Sequence, residues 1–143
     1  MKKTILILIL SSAIFGNAGA QATPGTDTLG YLQNIVSNKA NYIGHPFSTL
    51  QSNMQIQIKH FWPNASLSYD RTKETSTQFA FYFPQNAEEI YLTYPCLEIS
   101  WQPYLNKSES NITRQSNNHR GQWNSAAASL YANCIIADIK VRN

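Results

Sequence analysis

The hydrophobic pattern changes its period at Met54, and this change limits the folds open to the chain more than any other feature. Upstream of Met54, apolar residues recur at helical spacing and predict a helix over 28–39 and a short second helix that begins at Phe47. Downstream, apolar and polar residues alternate, which is typical of half-buried strands. Helices followed mainly by strands indicate an α+β fold.

The two predicted helices are joined by the sequence NYIGHPFSTL, residues 41–50. Gly44 can end the first segment because it adopts positive φ readily, and Pro46 suits the first turn of a new helix. His45 precedes a proline, so we expect an extended backbone there and a side chain near solvent. We interpret the stretch as a corner; the alternative is that His45 binds a ligand.

Downstream of the corner, the alternation predicts four strands and one more helix. The segments rich in polar residues, 63–76 and 103–121, are predicted to be loops. Residues 84–95 fit either a single helical turn or an early start of the third strand. The predicted strands cover 54–62 (ended by Pro63), 77–83, 96–102 and 134–142, and a short helix over 122–133 precedes the last of them.

The predicted fold is α+β, with a small, mainly antiparallel sheet of about four strands and two or three helices packed on one face. On the third strand Leu97, Ile99 and Trp101 face inward, while the alternate residues, Glu98 among them, face outward. We find no internal repeat or domain boundary, and therefore expect residues 21–143 to form a single domain.

The first twenty residues have the three-part layout of a secretory signal peptide. Lys2 and Lys3 give a positive start, an apolar run covers 5–15, and Ala18-Gly19-Ala20 is a small-residue cleavage site. The apolar run is shorter than the ~20 residues that span a bilayer, which argues against the alternative of a retained membrane anchor. We therefore expect residues 1–20 to be removed and the rest to be exported to the periplasm or the extracellular space.

The charge balance excludes two classes of partner. Without Lys2 and Lys3, nine of the 11 basic residues remain against eight acidic ones, so the mature chain has a net charge of +1. The chain also contains no block of Lys or Arg. It therefore lacks the electrostatic footprint of a nucleic-acid-binding protein and that of a polybasic membrane-surface binder.

Two cysteines, Cys96 and Cys134, remain in the mature chain. An even number of cysteines in an exported protein favours a disulfide. Both residues fall on the outward faces of their predicted strands, so a bridge is geometrically natural if the two strands are neighbours. We predict a Cys96–Cys134 disulfide; the alternative is a pair of buried free thiols.

The sequence contains none of the common local catalytic motifs. His45, His60 and His119 fall in a corner, a strand and a loop, without the spacing of metal ligands. Glu98 is the one carboxylate that we single out, because it could act with His60 in acid–base chemistry if their strands are neighbours. The alternative is a solvated cross-strand pair. We assign no catalytic, metal-binding or cofactor-binding residue and expect no cofactor.

The chain has three Trp and eight Tyr residues. Most of them fall at inward positions, where packing in the core accounts for them. The periodicity accounts least for Tyr82, Tyr94 and Tyr104. Exposed rings on an exported protein can stack against a sugar or a peptide, so we name these three as candidate ligand-stacking residues.

Several short segments together resemble a group of small exported proteins found in Bacteroidetes. The segments of this chain that carry the resemblance are YIGHPFS at 42–48, PCLEISW at 95–101, and the ending W…YANCIIADIKV. The group shares a Y-I-G-x-P-[FL]-S segment near the mature N-terminus and a Trp-helix-strand ending. The resemblance implies an exported α+β domain and implies no particular chemistry.

We therefore expect an exported, non-enzymatic domain that binds a protein or a glycan, and we make no prediction of its oligomeric state. Two alternatives stay open. One is a small hydrolase whose site is assembled in space from His60 and Glu98. The other is an inhibitor or immunity-type protein that uses the loops 63–76 and 103–121 as its contact surface.

Overall fold

The computed structural model describes residues 27–83, 94–116 and 120–143. These residues form four α-helices and one four-stranded sheet, which confirms the predicted α+β class. The predicted signal peptide and residues 84–93 lie outside the described residues. The elements are α1 (Thr28–Ser37), α2 (Phe47–Asn53), β1 (His60–Asn64), β2 (Lys73–Ala80), β3 (Cys96–Asn106), α3 (Lys107–Gln115), α4 (Ser125–Tyr131) and β4 (Ile136–Arg142).

The sheet is antiparallel throughout, in the order β1-β2-β3-β4, so each strand pairs with its neighbour in sequence. Because side chains alternate between the faces, each row of paired residues lies on one face. Phe79 pairs with Phe61 on one side and with Leu97 on the other, and all three are fully buried. We call this the inner face; it packs against buried residues of α1, α2 and α4.

Helices α1 and α4 begin where the sequence supplies a capping side chain. Asp27 accepts a hydrogen bond from the Gly30 backbone N at 2.8 Å and caps α1, and Asn124 accepts from the Ala127 N at 2.9 Å and caps α4. α1 ends at Ser37, two residues before the predicted end, and a short 3₁₀ turn follows. Of the helices in the described ranges, none has the length and apolarity that a membrane span requires.

The corner between α1 and α2 pairs with the start of β4. Gly44 N donates a hydrogen bond to Ile136 O at 2.8 Å, and Ile136 N donates to His45 O at 3.1 Å. Gly44 has a φ of +80°, a conformation that glycine adopts at little cost. The His45 side chain is exposed, as expected for a corner. The backbone of this segment therefore covers part of the free edge of the sheet beside β4.

The first strand differs from its prediction in position. It begins at His60 rather than at Met54, and Pro63 lies inside it instead of ending it. β1 is an edge strand, where a residue without a backbone N–H is tolerated. In the register of this strand, Phe61 lies in the core, and His60 lies on the opposite face of the sheet.

Both segments that were predicted to be loops contain regular structure. β2 begins at Lys73, within 63–76, and 103–121 contains the end of β3 and all of α3. The side chain of Asn106 caps α3 by accepting from Ser108 N at 3.0 Å. α3 buries only Ser110, so it lacks the apolar stripe from which a helix is usually predicted.

The predicted Cys96–Cys134 disulfide is wrong, because both cysteines are free. β3 and β4 are neighbours, but their antiparallel register places Cys96 opposite Arg142. Cys134 lies just before the other end of β4, and the eight residue steps from 134 to 142 correspond to roughly 25 Å of extended chain. A disulfide requires Cα atoms within about 7 Å of each other.

Candidate binding site on the outer face of the sheet

The face of the sheet opposite α1, α2 and α4, here the outer face, carries rows of polar side chains. Glu98 pairs with Gln78 on β2 and with Lys140 on β4. This face contains a depression of about 750 Å³, which we call the outer groove. It is lined by residues of β2, β3, β4 and the β1–β2 loop: Ser66, Leu67, Thr75, Ser76, Glu98, Ser100, Trp101, Gln102, Pro103, Tyr104, Ala137, Lys140 and Arg142.

The outer groove follows β3. Its lining extends from Glu98 to Tyr104 on that strand. Glu98 and Leu105 lie opposite Gln78 and Glu74, which are four residues apart on β2, so this part of the lining covers roughly 13 Å. The volume lies within the range of about 300–1,000 Å³ that is usual for small-ligand sites.

An ion pair lies at one end of the outer groove. Arg142 Nε donates a hydrogen bond to Glu98 Oε2, and Ser76 Oγ donates to Glu98 Oε1 at 2.9 Å. Burial alone would raise the pKa of Glu98, but the hydrogen bonds from Arg142 and Ser76 outweigh it and hold this pKa below its ordinary value. Glu98 is therefore anionic at neutral pH, and each of its oxygens already accepts a hydrogen bond.

Among the remaining polar groups of the outer groove, Lys140 and Arg142 can only donate hydrogen bonds, while the hydroxyls and the Gln102 amide can donate or accept. Lys140 is exposed, and its Nζ lies 3.6 Å from Asp138 Oδ2. The Ser100 hydroxyl and the Gln102 amide have no side-chain hydrogen bond within the described part of the chain. Of the charged lining residues, Lys140 and Arg142 outnumber Glu98, so the lining carries a net charge of +1.

The three tyrosines named from the sequence do not share one site. Tyr104 lines the outer groove and is 50% exposed. The rings of Tyr82 and Tyr94 contact each other, with centroids 4.3 Å apart, at the other end of β3. Tyr104 alone is in position to stack against a ligand in the outer groove.

His60 and Glu98 lie on the same face, but the structure does not bring them together. Strand β2 lies between them, and His60 Nε2 lies 3.0 Å from the carbonyl oxygen of Arg120. Burial lowers the pKa of His60 despite that hydrogen bond. His119 lies outside the described residues. In the ranges that the structure describes, no three or more His, Cys, Asp or Glu side chains form a group able to hold a metal ion.

A buried polar cluster centred on Glu74 was not predicted from the sequence. The Tyr131 and Thr77 hydroxyls donate to Glu74 Oε1, the former at 2.9 Å, and the Ser110 hydroxyl donates to Oε2. Trp101 Nε1 donates to the Thr77 hydroxyl at 2.8 Å. We call these five residues the Glu74 cluster. It links β2 to β3, α3 and α4 through side chains that are all essentially inaccessible to solvent.

The chemistry of the Glu74 cluster is that of a structural junction. Burial raises the pKa of Glu74, and the hydrogen bonds from its hydroxyl partners offset only part of this effect. Glu74 is 0% exposed and does not line the outer groove. The one sequence signal that points to its strand is the alternation of Thr75, Thr77 and Phe79, which extends β2 upstream of its predicted start.

No known protein family matches the chain, and neither the curated proteins nor the solved structures include a match. The kind of ligand that the outer groove can hold therefore follows only from the residues that line it. They offer hydrogen-bond donors, one surplus positive charge and one half-exposed aromatic ring.

Proposed function

We propose that this protein is an exported binding domain that holds an extended, polar ligand in the outer groove. The observation that carries the proposal is the groove itself, a depression of about 750 Å³ along β3 whose lining includes the polar side chains of Ser76, Ser100 and Gln102 and the charged ones of Glu98, Lys140 and Arg142. The signal-peptide layout of residues 1–20 and the resemblance to small exported proteins of Bacteroidetes support export.

The ionisation of the groove favours binding over catalysis. A general acid or base that works near neutral pH needs a pKa close to that pH. Glu98 is the carboxylate in the groove, and its pKa lies below the ordinary value because Arg142 and Ser76 stabilise the anion. Glu98 is therefore suited to fix the position of Arg142 and poorly suited to proton transfer.

NMR titration of the ¹⁵N-labelled protein tests the binding site. The titrants are neutral oligosaccharides, acidic oligosaccharides and acidic peptides. We expect saturable shifts at Ser76, Ser100 and Gln102 with at least one of these classes. If every class leaves these three residues unchanged, or if saturable shifts occur only on α1 and α2, the proposal is wrong.

A pair of bulky substitutions provides the matched control. Ser100→Trp places a large ring in the outer groove and should abolish the shifts, whereas Ser52→Trp adds the same ring at an exposed position on α2 and should leave them intact. Circular dichroism establishes that both variants fold. Retention of binding in folded Ser100→Trp would show that the ligand lies elsewhere.

Export has its own test. The full chain is expressed with its N-terminus in a Gram-negative bacterium, and the cell fractions are analysed by intact mass. We expect the exported fraction to contain a chain that begins at Gln21. A full-length chain that stays with the membrane fraction would contradict the proposal.

A further inference from the structure

We infer that the ligand of the outer groove is an acidic oligosaccharide, with a uronate carboxylate beside Lys140 and Arg142 and a sugar ring stacked on Tyr104. This inference rests on the proposed function, because it names the ligand class for the same groove. Three features of the groove support it: its charge, its length and the kind of side chains that line it.

The charge of the outer groove favours an anion. Both oxygens of Glu98 already accept hydrogen bonds, from Ser76 and from Arg142. Only Nε of Arg142 is used in that ion pair, so the terminal nitrogens of its guanidinium stay available to a ligand. Lys140 adds a second exposed cation on the same strand, two residues away, and Asp138 beside it is also paired with Lys39 at 2.6 Å. Lys39, Lys140 and Arg142 together outnumber Glu98 and Asp138, so a carboxylate that binds here meets one surplus positive charge.

The length of the outer groove requires more than one sugar. The cationic end lies at Glu98 and its partners, and the β2–β3 register places Tyr104 roughly 13 Å away along the sheet. A single sugar ring is shorter than this distance. A ligand that uses both Lys140 and Tyr104 is therefore an oligomer, and the carboxylate beside Lys140 and the ring on Tyr104 belong to different units of its chain.

The lining favours a sugar over a peptide. Peptide and protein partners are usually anchored by an apolar or aromatic side chain in a desolvated pocket. The outer groove also has apolar lining residues, Leu67, Pro103 and Ala137 among them, but it offers the side chains of Ser76, Ser100 and Gln102, which match the hydroxyl groups of a sugar. Tyr104, half exposed at the far end, offers a flat ring against which the C–H face of a sugar can pack.

The test uses two ligands with the same sugar backbone, one anionic and one neutral: tetra-galacturonic acid and its fully methyl-esterified form. Binding to the protein is measured by isothermal titration calorimetry at low ionic strength. We expect the acid to bind about tenfold or more tightly than the ester, and its affinity to fall as salt is added. An ester that binds as tightly as the acid would overturn the inference.

Two variants assign the ends of the ligand, and a third is the control. Lys140→Gln should weaken binding of the acid about fivefold to tenfold and leave the ester unchanged. Tyr104→Ala should weaken both ligands by a similar factor. Lys59→Gln removes the same charge from a separate depression near β1 and should change neither affinity. Equal effects of Lys140→Gln and Lys59→Gln would overturn the placement of the carboxylate.

The outcome also separates this inference from the proposed function. If neutral glycans or acidic peptides bind in the groove while galacturonates do not, the ligand class is wrong and the binding function stands. If no oligosaccharide or peptide shifts Ser76, Ser100 or Gln102, both fail.

Discussion

Tyr131 on α4 donates a hydrogen bond to Glu74 on β2 at 2.9 Å, in the interior of the protein. Ser110 on α3 donates to the second oxygen of the same carboxylate. The carboxylate of Glu74 therefore joins two helices to the sheet at a place where no water can substitute for a lost partner. Such a junction stabilises the fold only while every polar group in it is paired.

Two substitutions at Glu74 distinguish the shape of this side chain from its charge. Glu74→Ala leaves the hydroxyls of Thr77, Ser110 and Tyr131 without their acceptor, and we expect it to cost on the order of 3–5 kcal/mol of unfolding free energy. Glu74→Gln keeps a polar side chain of the same size and should cost about 1 kcal/mol. Urea unfolding measures both. Equal costs would mean that the hydroxyls find other partners.

The free energy of unfolding should depend on pH through the ionisation of Glu74. Burial raises its pKa above the ordinary value of 4.5, so the folded protein keeps this proton to a higher pH than the unfolded chain does. The stabilisation that protonated Glu74 contributes is therefore complete below about pH 4.5 and is lost as the pH rises through the pKa of Glu74 in the folded protein. The difference in unfolding free energy between wild type and Glu74→Gln, measured from about pH 4 to about pH 8, should fall with pH and then level off.

Glu98 provides a control of opposite sign. Its pKa is lowered in the folded protein, so its stabilisation is present above about pH 4.5 and is lost as the pH falls through the native value. The same urea experiment on Glu98→Gln, extended below pH 4, should therefore show a difference that shrinks toward acid pH. A matching trend for Glu74 and Glu98 would contradict the assignment of a raised pKa to Glu74.

The two cysteines should behave as unreactive free thiols. Burial raises the pKa of Cys96 and of Cys134 to about 11, so only on the order of a thousandth of each is thiolate at pH 8. We expect iodoacetamide to modify the folded protein slowly and to modify both thiols rapidly in denaturant. A reducing agent should leave the Tm unchanged. A lower Tm after reduction would show that the two cysteines form the disulfide that the strand register argues against.

The cysteines also show which part of the fold a sequence can predict. Alternation along the chain predicted that Leu97, Ile99 and Trp101 face the core, because apolar periodicity reports burial directly. It could not predict which residue of β4 lies opposite Cys96. That depends on strand direction and on a register shift between Ser100 and Trp101, which no local pattern encodes.

The candidate site was predictable to a similar extent. Glu98 was singled out from its outward position, and Tyr104 because the core did not account for it; both line the outer groove. Lys140 and Arg142 were not named, because only the pairing of β4 with β3 places them beside Glu98. The start of β2 and α3 were missed because polar groups such as Glu74 and Ser110 hold them, without an apolar stripe.

Two glycines allow backbone strain to be separated from steric exclusion. Gly44 and Gly121 have φ values of +80° and +84°, so alanine at either position costs about 1 kcal/mol in backbone strain. A Cβ at Gly44 would meet nothing within 4 Å, whereas at Gly121 it would lie 2.4 Å from His60 Nε2 and 2.9 Å from Phe61 O. Gly121 also accepts a hydrogen bond from Phe61 N at 2.8 Å, which covers the free edge of β1.

We therefore expect Gly44→Ala to cost about 1 kcal/mol and Gly121→Ala at least about 2 kcal/mol more, measured by urea unfolding. The clash at Gly121 involves a backbone oxygen of β1 and a buried imidazole, so neither can move without disturbing the edge of the sheet. Amide exchange at Phe61 should accelerate in Gly121→Ala and stay unchanged in Gly44→Ala. Equal costs for the two variants would show that the segment at 121 can leave β1 without loss, and that it does not protect this edge.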